Sequence, residues 1–181
     1  MLTKEVIAQI IGIVAMATNV CSFVQKSKLR IIVMQLFGAG LFFTNYILLG
    51  STTGAILNLV AVFRALVYSN REKFHADHKG WIGVFSALFL AVYAMTFLVF
   101  QKSATLSNLL IELLPVAAML ISTVSFSLKS AAQVRKLGFF YCPLWLIYNC
   151  FVFSIGGILC EVFSLVSITI GYLRHDRVKH E

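Results

Sequence analysis

Charged residues are scarce in this chain of 181 residues, since only 12% are Asp, Glu, Lys or Arg while 60% are hydrophobic. A water-soluble domain of this length could not cover so much apolar surface with so few charges. The apolar stretches are continuous rather than alternating with polar residues, which disfavours a transmembrane β-barrel. The composition therefore indicates a polytopic α-helical protein whose surrounding solvent is a lipid bilayer.

Reactive and metal-binding motifs are also missing. The four cysteines lie within apolar runs and form no CxxC spacing, so they suggest neither a disulfide framework nor a zinc site. The sequence contains no nucleophile–base pair, phosphate-binding loop, HExxH motif or carboxylate-rich cluster. We therefore expect no enzyme, no metal and no cofactor.

Seven apolar segments are each about as long as the ~17–25 residues that a bilayer-spanning helix needs. They cover residues 5–24, 31–49, 54–70, 81–100, 108–128, 137–154 and 157–173. Of the fifteen lysines and arginines, twelve follow the first, third, fifth or seventh segment, two lie on the opposite side, and Arg64 lies within a segment. This asymmetry predicts an outer N-terminus and a cytoplasmic C-terminus. The basic face is expected to attract anionic lipid rather than nucleic acid.

One stretch of the chain occurs twice, because residues 9–71 align without a gap with residues 112–174 at an offset of 103. Each copy contains three segments, and an odd number of crossings reverses the direction of the chain. The extra fourth segment restores that direction, so the sequence predicts two parallel three-helix repeats joined by a linker helix, a 3+1+3 plan. The expected units are repeat 1 at 1–71, a cytoplasmic loop and linker helix at 72–107, repeat 2 at 108–174 and a cytoplasmic tail at 175–181.

Several motifs carry a resemblance to a known family: ELLPV at 112–116, LIYN at 146–149, SIGG at 154–157, ATNVCSFVQKSK at 17–28 and YILLGSTTGAILNLV at 46–60. On these motifs nearly the whole chain closely resembles the YgjV family of bacterial inner membrane proteins. In an inner membrane, the outer N-terminus predicted from the basic residues would be periplasmic. The three-helix unit is more distantly similar to that of SWEET, SemiSWEET and other PQ-loop proteins, and the 3+1+3 plan resembles PnuC vitamin transporters. Val24-Gln25 and Ser127-Leu128 replace the Pro-Gln pair of PQ-loop units. The distant resemblance implies membrane transport.

Two polar residues occupy equivalent positions of the two copies. Asn58 and Glu161 each lie four residues after a glycine, Gly54 or Gly157, so both should lie about 6 Å below the outer turn. Polar groups at this depth are costly and are candidates for function. An amide and a carboxylate facing one cavity could bind hydroxyls, an amine or a cation, and the carboxylate leaves proton coupling open. The alternative is that both only hydrogen-bond to neighbouring helices.

Three further residues are candidates for gating or ion pairing. Arg64 lies six residues beyond Asn58, about 9 Å deeper, and either pairs with Glu161 or Glu112 or extends toward the cytoplasm. Glu112 is expected to begin the fifth helix, where the helix dipole favours a carboxylate. Pro115 then falls in the same first turn, either as a tolerated helix-start proline or as a hinge.

The remaining candidates are aromatic and amide side chains. Trp145, Tyr148 and Asn149 cluster on the sixth helix, opposite a similar group on the second helix, and Asn19 lies toward the inner half of the first. Aromatic rings that line a cavity can stack on a sugar or heterocycle. An interfacial belt or simple packing would use the same residues. Glycines at 38, 40, 156 and 157 permit close helix approach.

Together these features favour a facilitator for a small polar solute, such as a sugar or vitamin-like molecule, working by alternating access between two three-helix bundles. The expected partners are the bilayer and the solute, and a homo-oligomer is compatible with this layout. The alternative is a receptor, assembly factor or structural protein of the inner membrane that transports nothing. A polar cavity between the repeats would favour the first hypothesis, and a dry, mutually satisfied core would favour the second.

Overall fold

The computed structural model describes residues 3–76 and 78–175, and within them the chain is helical and contains no strand. The elements are α1 (Lys4–Phe23), α2 (Lys28–Leu49), α3 (Thr52–Ser69), α4 (Arg71–Phe74), α5 (Gly80–Leu98), α6 (Leu106–Ser127), α7 (Ala131–Phe151) and α8 (Ile155–His175). The all-α prediction is confirmed. Beyond His175, the predicted tail lies outside the described residues.

Six of the long helices, α1, α2, α3, α5, α6 and α8, are long and apolar enough to cross a bilayer. The seventh long helix, α7, has 21 residues but is the least apolar, since Gln133, Arg135 and Lys136 lie near its start. Large apolar side chains are exposed on the outer faces of the helices, as at Ile10, Phe140 and Val166. Because soluble proteins rarely expose so much apolar surface, the natural surroundings of these faces are lipid.

The long helices form a closed ring. Along the chain, α1 packs on α2, α2 on α3, α6 on α7 and α7 on α8, while α3 packs on α6 and α8 packs back on α1. The order around the ring is therefore α1, α2, α3, α6, α7 and α8. Helix α5 lies outside it against α3 and α6, and α2 also touches α7 across the middle. This arrangement leaves space for a central cavity.

The helix boundaries follow the internal repeat. Helix α2 begins at Lys28 and α7 at Ala131, a difference of 131 − 28 = 103. Helix α3 begins at Thr52 and α8 at Ile155, again 155 − 52 = 103. The ring contacts show the same correspondence, since the α3–α6 contact has its counterpart in α8–α1. Two of the three helix pairs thus start at the offset of 103, while α1 starts at Lys4 and α6 at Leu106, an offset of 102.

Two predicted helix starts were wrong by three residues or more. Helix α2 begins at residue 28 rather than 31 and α7 at 131 rather than 137, so cations expected in turns belong to helices. A serine precedes each helix as its N-cap. The Ser130 hydroxyl accepts from the Gln133 N–H at 3.2 Å, whereas the Ser27 side chain makes no cap hydrogen bond. The loop before α5 also contains the short helix α4, which the sequence did not predict.

Basic side chains join the two copies at one end of the ring. Arg135 of α7 is buried and donates to the carbonyl oxygens of Phe23 at 3.4 Å and Gln25 at 3.0 Å, at the end of α1. Lys28 of α2 donates to the carbonyl oxygens of Phe126 and Leu128, at the end of α6. The accepting residues are themselves equivalent, since 126 − 23 and 128 − 25 both equal 103. Each copy therefore caps the first helix of the other with a cation, which suits the negative end of the helix dipole.

Candidate functional site

A cavity of about 90 Å3 lies in the middle of the ring and takes side chains from all six ring helices. We call it the central cavity. Its polar lining includes Asn19, Gln35, Asn58, Arg64, Ser122, Tyr141, Asn149, Glu161 and Ser164. This volume is large enough to hold several water molecules. It is therefore a small polar chamber inside an apolar bundle.

The central cavity brings together six of the nine residues that the sequence singled out: Asn19, Asn58, Arg64, Trp145, Asn149 and Glu161. The other three, Glu112, Pro115 and Tyr148, are not among its lining residues. Tyr148 is nevertheless close, because its ring packs edge-on against Trp145 with centroids 5.7 Å apart. The equivalence of positions in the repeat was the signal that selected Asn58 and Glu161.

Asn58 and Glu161 line the same cavity, as their equivalent positions predicted. The Asn58 amide nitrogen donates to the Gly54 carbonyl oxygen of its own helix at 2.9 Å, which leaves the amide oxygen as an acceptor. The Glu161 carboxylate lies against the Cys142 thiol and forms no ion pair with any described residue. Among residues 3–76 and 78–175, no group of three or more His, Cys, Asp or Glu side chains could hold a metal ion.

Tyr46 and Asn149 close one end of the cavity lining. The Tyr46 hydroxyl donates to the Asn149 side-chain oxygen at 2.8 Å, and both residues are buried. Their numbers differ by 149 − 46 = 103, so this bond joins equivalent positions of the two copies. Tyr46 also stacks on Phe42 and Trp145, with centroids 5.9 and 6.4 Å away. The predicted aromatic and amide cluster therefore does form, although Asn45 of the second helix instead donates to the Ala8 carbonyl oxygen.

Glycines make room for the amide side chains. A Cβ atom on Gly38 would lie 2.2 Å from the Asn19 side-chain oxygen, and one on Gly157 would lie 2.5 Å from the Asn149 side chain. Gly156 approaches the backbone of Gly12 on α1, where its Cβ would lie 3.3 Å from the nearest atom. The expected close approach is confirmed at Gly38, Gly156 and Gly157, and at two of them it accommodates an amide that lines the cavity. It is absent at Gly40, where the nearest atom would lie 4.0 Å from a Cβ.

Arg64 makes contacts that neither sequence interpretation anticipated. It is buried, and its Nη1 donates to the Met119 carbonyl oxygen at 3.0 Å and to the hydroxyls of Ser122 at 2.6 Å and Thr123 at 2.9 Å. Its guanidinium carbon lies 4.5 Å from the Phe126 ring centroid, within the range of a cation–π contact. No pairing with Glu161 or Glu112 occurs in the described part of the chain.

The expectation that Glu112 begins a helix was wrong, and so was the placing of Pro115 in the first turn. Helix α6 begins at Leu106, after Thr105, whose hydroxyl accepts from the Asn108 N–H. Glu112 is buried and forms an ion pair with Lys102, and Pro115 lies well inside the helix. An interior proline removes one backbone hydrogen bond and favours a kink.

Sequence reasoning missed Gln35, Tyr141 and Cys142, which also line the cavity. Helical periodicity contained the signal, because Cys142, Trp145 and Asn149 recur at spacings of three and four residues. Such positions share one face of a helix. Counting back from Asn149 along α7 would therefore have identified Tyr141 and Cys142, but not Gln35, which lies on α2.

Comparison with known proteins gives one match. The sequence model of the bacterial inner membrane protein family Imp-YgjV matches residues 6–179. The chain belongs to this family. No curated protein and no solved structure matches it. Membership in the YgjV family, together with the six apolar helices, makes this a multi-pass protein of the bacterial inner membrane.

Proposed function

We propose that this YgjV-family protein is a facilitator that moves a small polar solute across the inner membrane by alternating access. The observation that carries the proposal is the central cavity, whose polar lining comes from all six ring helices. Polar side chains are expensive inside a bilayer, and a chain this poor in them concentrates several around one space. A solute site between two halves is the usual design of transporters built from repeats.

The proposal includes a 3+1+3 architecture with two parallel repeats, α1–α3 and α6–α8, and with α5 as the linker. The offset of 103 between the starts of α2 and α7 and between those of α3 and α8 supports it, as do the matching ring contacts. The distant similarity to SWEET, PQ-loop and PnuC transporters motivates the same plan, but fold alone does not fix function.

Alternating access requires contacts between the copies at both ends of the cavity to open in turn. At one end, the Tyr46–Asn149 hydrogen bond joins α2 to α7. At the other, Lys28 and Arg135 hold the ends of α6 and α1. We propose that these two sets of contacts separate alternately, so that the cavity opens to one side of the membrane at a time.

Solute flux into proteoliposomes tests the proposal. Purified protein is reconstituted and supplied with radiolabelled sugars, nucleosides, vitamins and amino acids. We expect saturable uptake of one class, accompanied by an increase in apparent Tm of the purified protein with that solute, because a ligand stabilises the state that binds it. Uptake equal to that of protein-free liposomes for every class would contradict transport and favour the receptor or assembly hypothesis.

The proposed orientation has a periplasmic N-terminus and a cytoplasmic C-terminus. It follows from the twelve basic residues that flank alternate segments on one side. Fusion of a reporter that is active only in the cytoplasm to Glu181 should give full activity, and fusion after Lys102 should give little. The reverse pattern, or equal activity at both positions, would contradict this topology.

A further inference from the structure

The Arg64 guanidinium has more hydrogen-bond donors than its contact with α6 uses. All three of its hydrogen bonds are made by Nη1, and all three acceptors belong to α6. Within the described residues, Nε and Nη2 have no acceptor, and Nε is fully enclosed. Because Nε is enclosed, an anionic group in the cavity would bind Nη2, which makes no hydrogen bond to the described residues, through a charge-assisted hydrogen bond. A buried charged group with unused donors is costly unless a ligand completes it.

The other copy of the repeat shows that packing does not require an arginine here. The position equivalent to Arg64 is Ser167, because 167 − 64 = 103. The Ser167 hydroxyl donates to the Val20 carbonyl oxygen at 2.6 Å and so makes the corresponding contact between α8 and α1. A neutral hydroxyl is thus sufficient for this helix pair. The positive charge at residue 64 is additional, and it lies on the cavity wall.

The two copies also differ in negative charge, because Glu161 occurs in only one of them. Glu161 is equivalent to Asn58, so one copy places a neutral amide where the other places a carboxylate. Arg64 and Glu161 both line the cavity and do not pair with each other within the described residues. Position 64 is six residues beyond position 58, so the helix positions of Arg64 and of Glu161, the equivalent of Asn58, differ in depth by about 9 Å.

We infer that the central cavity takes a small zwitterion, with its anionic group on Arg64 and its cationic group toward Glu161. This rests on the proposed function and names its substrate class. A solute with one charge of each sign matches the two charges of the lining, so that Arg64 and Glu161 each have a partner of opposite charge inside the membrane. The volume of about 90 Å3 admits only a few non-hydrogen atoms, far less than the ~300–1,000 Å3 of drug-sized sites. This size favours a small amino acid over a sugar or vitamin.

Thermal stabilisation of the purified protein tests the inference without requiring transport. The probes are glycine and β-alanine as zwitterions, acetate as the anion alone, ethylammonium as the cation alone and glycerol as a neutral solute, all at equal ionic strength. We expect glycine or β-alanine to raise the apparent Tm with half-saturation at least about tenfold lower than that of any single-charge or neutral probe. Two charge-assisted contacts in place of one account for this difference.

Matched variants then locate the site. Arg64→Gln should weaken the zwitterion effect at least about tenfold, whereas Arg30→Gln, the same exchange at an exposed position of α2, should leave it unchanged. If Arg64→Gln does not fold, Arg64→Lys is used, which keeps the charge but loses the planar pair of donors. Equal stabilisation by glycerol, no effect of any zwitterion, or unchanged zwitterion affinity in the Arg64 variants would overturn the inference. Flux of a neutral solute without zwitterion binding would refute only the inference, and zwitterion binding without flux would refute only transport.

Discussion

Glu161→Gln is expected to reduce solute flux at least about tenfold while leaving expression and apparent Tm nearly unchanged. Glutamine keeps the size and shape of the side chain, so packing around Cys142 is retained and only the charge is removed. Because Glu161 lines the central cavity and has no ion pair among the described residues, that charge is available to the solute rather than to the fold. The measurement is the initial rate of uptake into proteoliposomes at matched protein content.

Glu5→Gln is the control, because it makes the same exchange at an exposed position in the first turn of α1. Its flux should equal that of the unaltered protein. If Glu161 also carries a proton, the pH dependence of flux should disappear in Glu161→Gln and persist in the control. Flux and pH profile identical to those of the unaltered protein would remove Glu161 from the mechanism.

Gly171→Ala is expected to give the largest loss of stability, about 1–3 kcal/mol. A Cβ atom at this position would lie 2.6 Å from the Phe23 carbonyl oxygen and 2.9 Å from the Arg135 side chain. The backbone of α1 cannot yield without moving the whole helix, so the contact between α8 and α1 must open. The same shift would disturb the bonds by which Arg135 caps α1. The measurement is the apparent Tm in detergent.

Gly83→Ala supplies the comparison, since it also places alanine inside a long helix, α5, but its Cβ meets no atom within 4 Å. Removing a flexible glycine from a helix interior should leave stability unchanged or raise it by about 0.5–1 kcal/mol. The prediction concerns the difference between the two variants. Equal apparent Tm values would show that α8 and α1 are not closely packed at this point.

The long helices and the location of the polar lining were predictable because both depend on sequence spacing. Apolar runs fix the helices, and the offset of 103 pairs Asn58 with Glu161. The helix ends were less predictable, since cations at positions such as Lys28 and Arg135 were assigned to solvated turns. In the structure they bind the ends of other helices, and a local sequence signal cannot reveal a partner about a hundred residues away.

The contacts of Arg64 and Glu112 were unpredictable for the same reason. A charged residue within an apolar segment is expected to have partners, but the sequence does not show whether these are carboxylates, hydroxyls or aromatic rings. Arg64 uses hydroxyls and a carbonyl of α6, and Glu112 uses Lys102. Pro115 was misplaced because the start of α6 depends on Thr105, a cap that lies before the apolar run.

The reciprocal capping by Lys28 and Arg135 has a consequence for synthesis at the ribosome. When α1 enters the membrane, the side chain that will bind the Phe23 and Gln25 carbonyl oxygens is still more than a hundred residues from being made. Until then, these carbonyl oxygens at the end of α1 can accept hydrogen bonds only from water and lipid head groups. Lys28, by contrast, is already in place when α6 arrives with its Phe126 carbonyl. The end of α1 is therefore capped only after α7 has been inserted, and the ring closes only when α8 packs against α1.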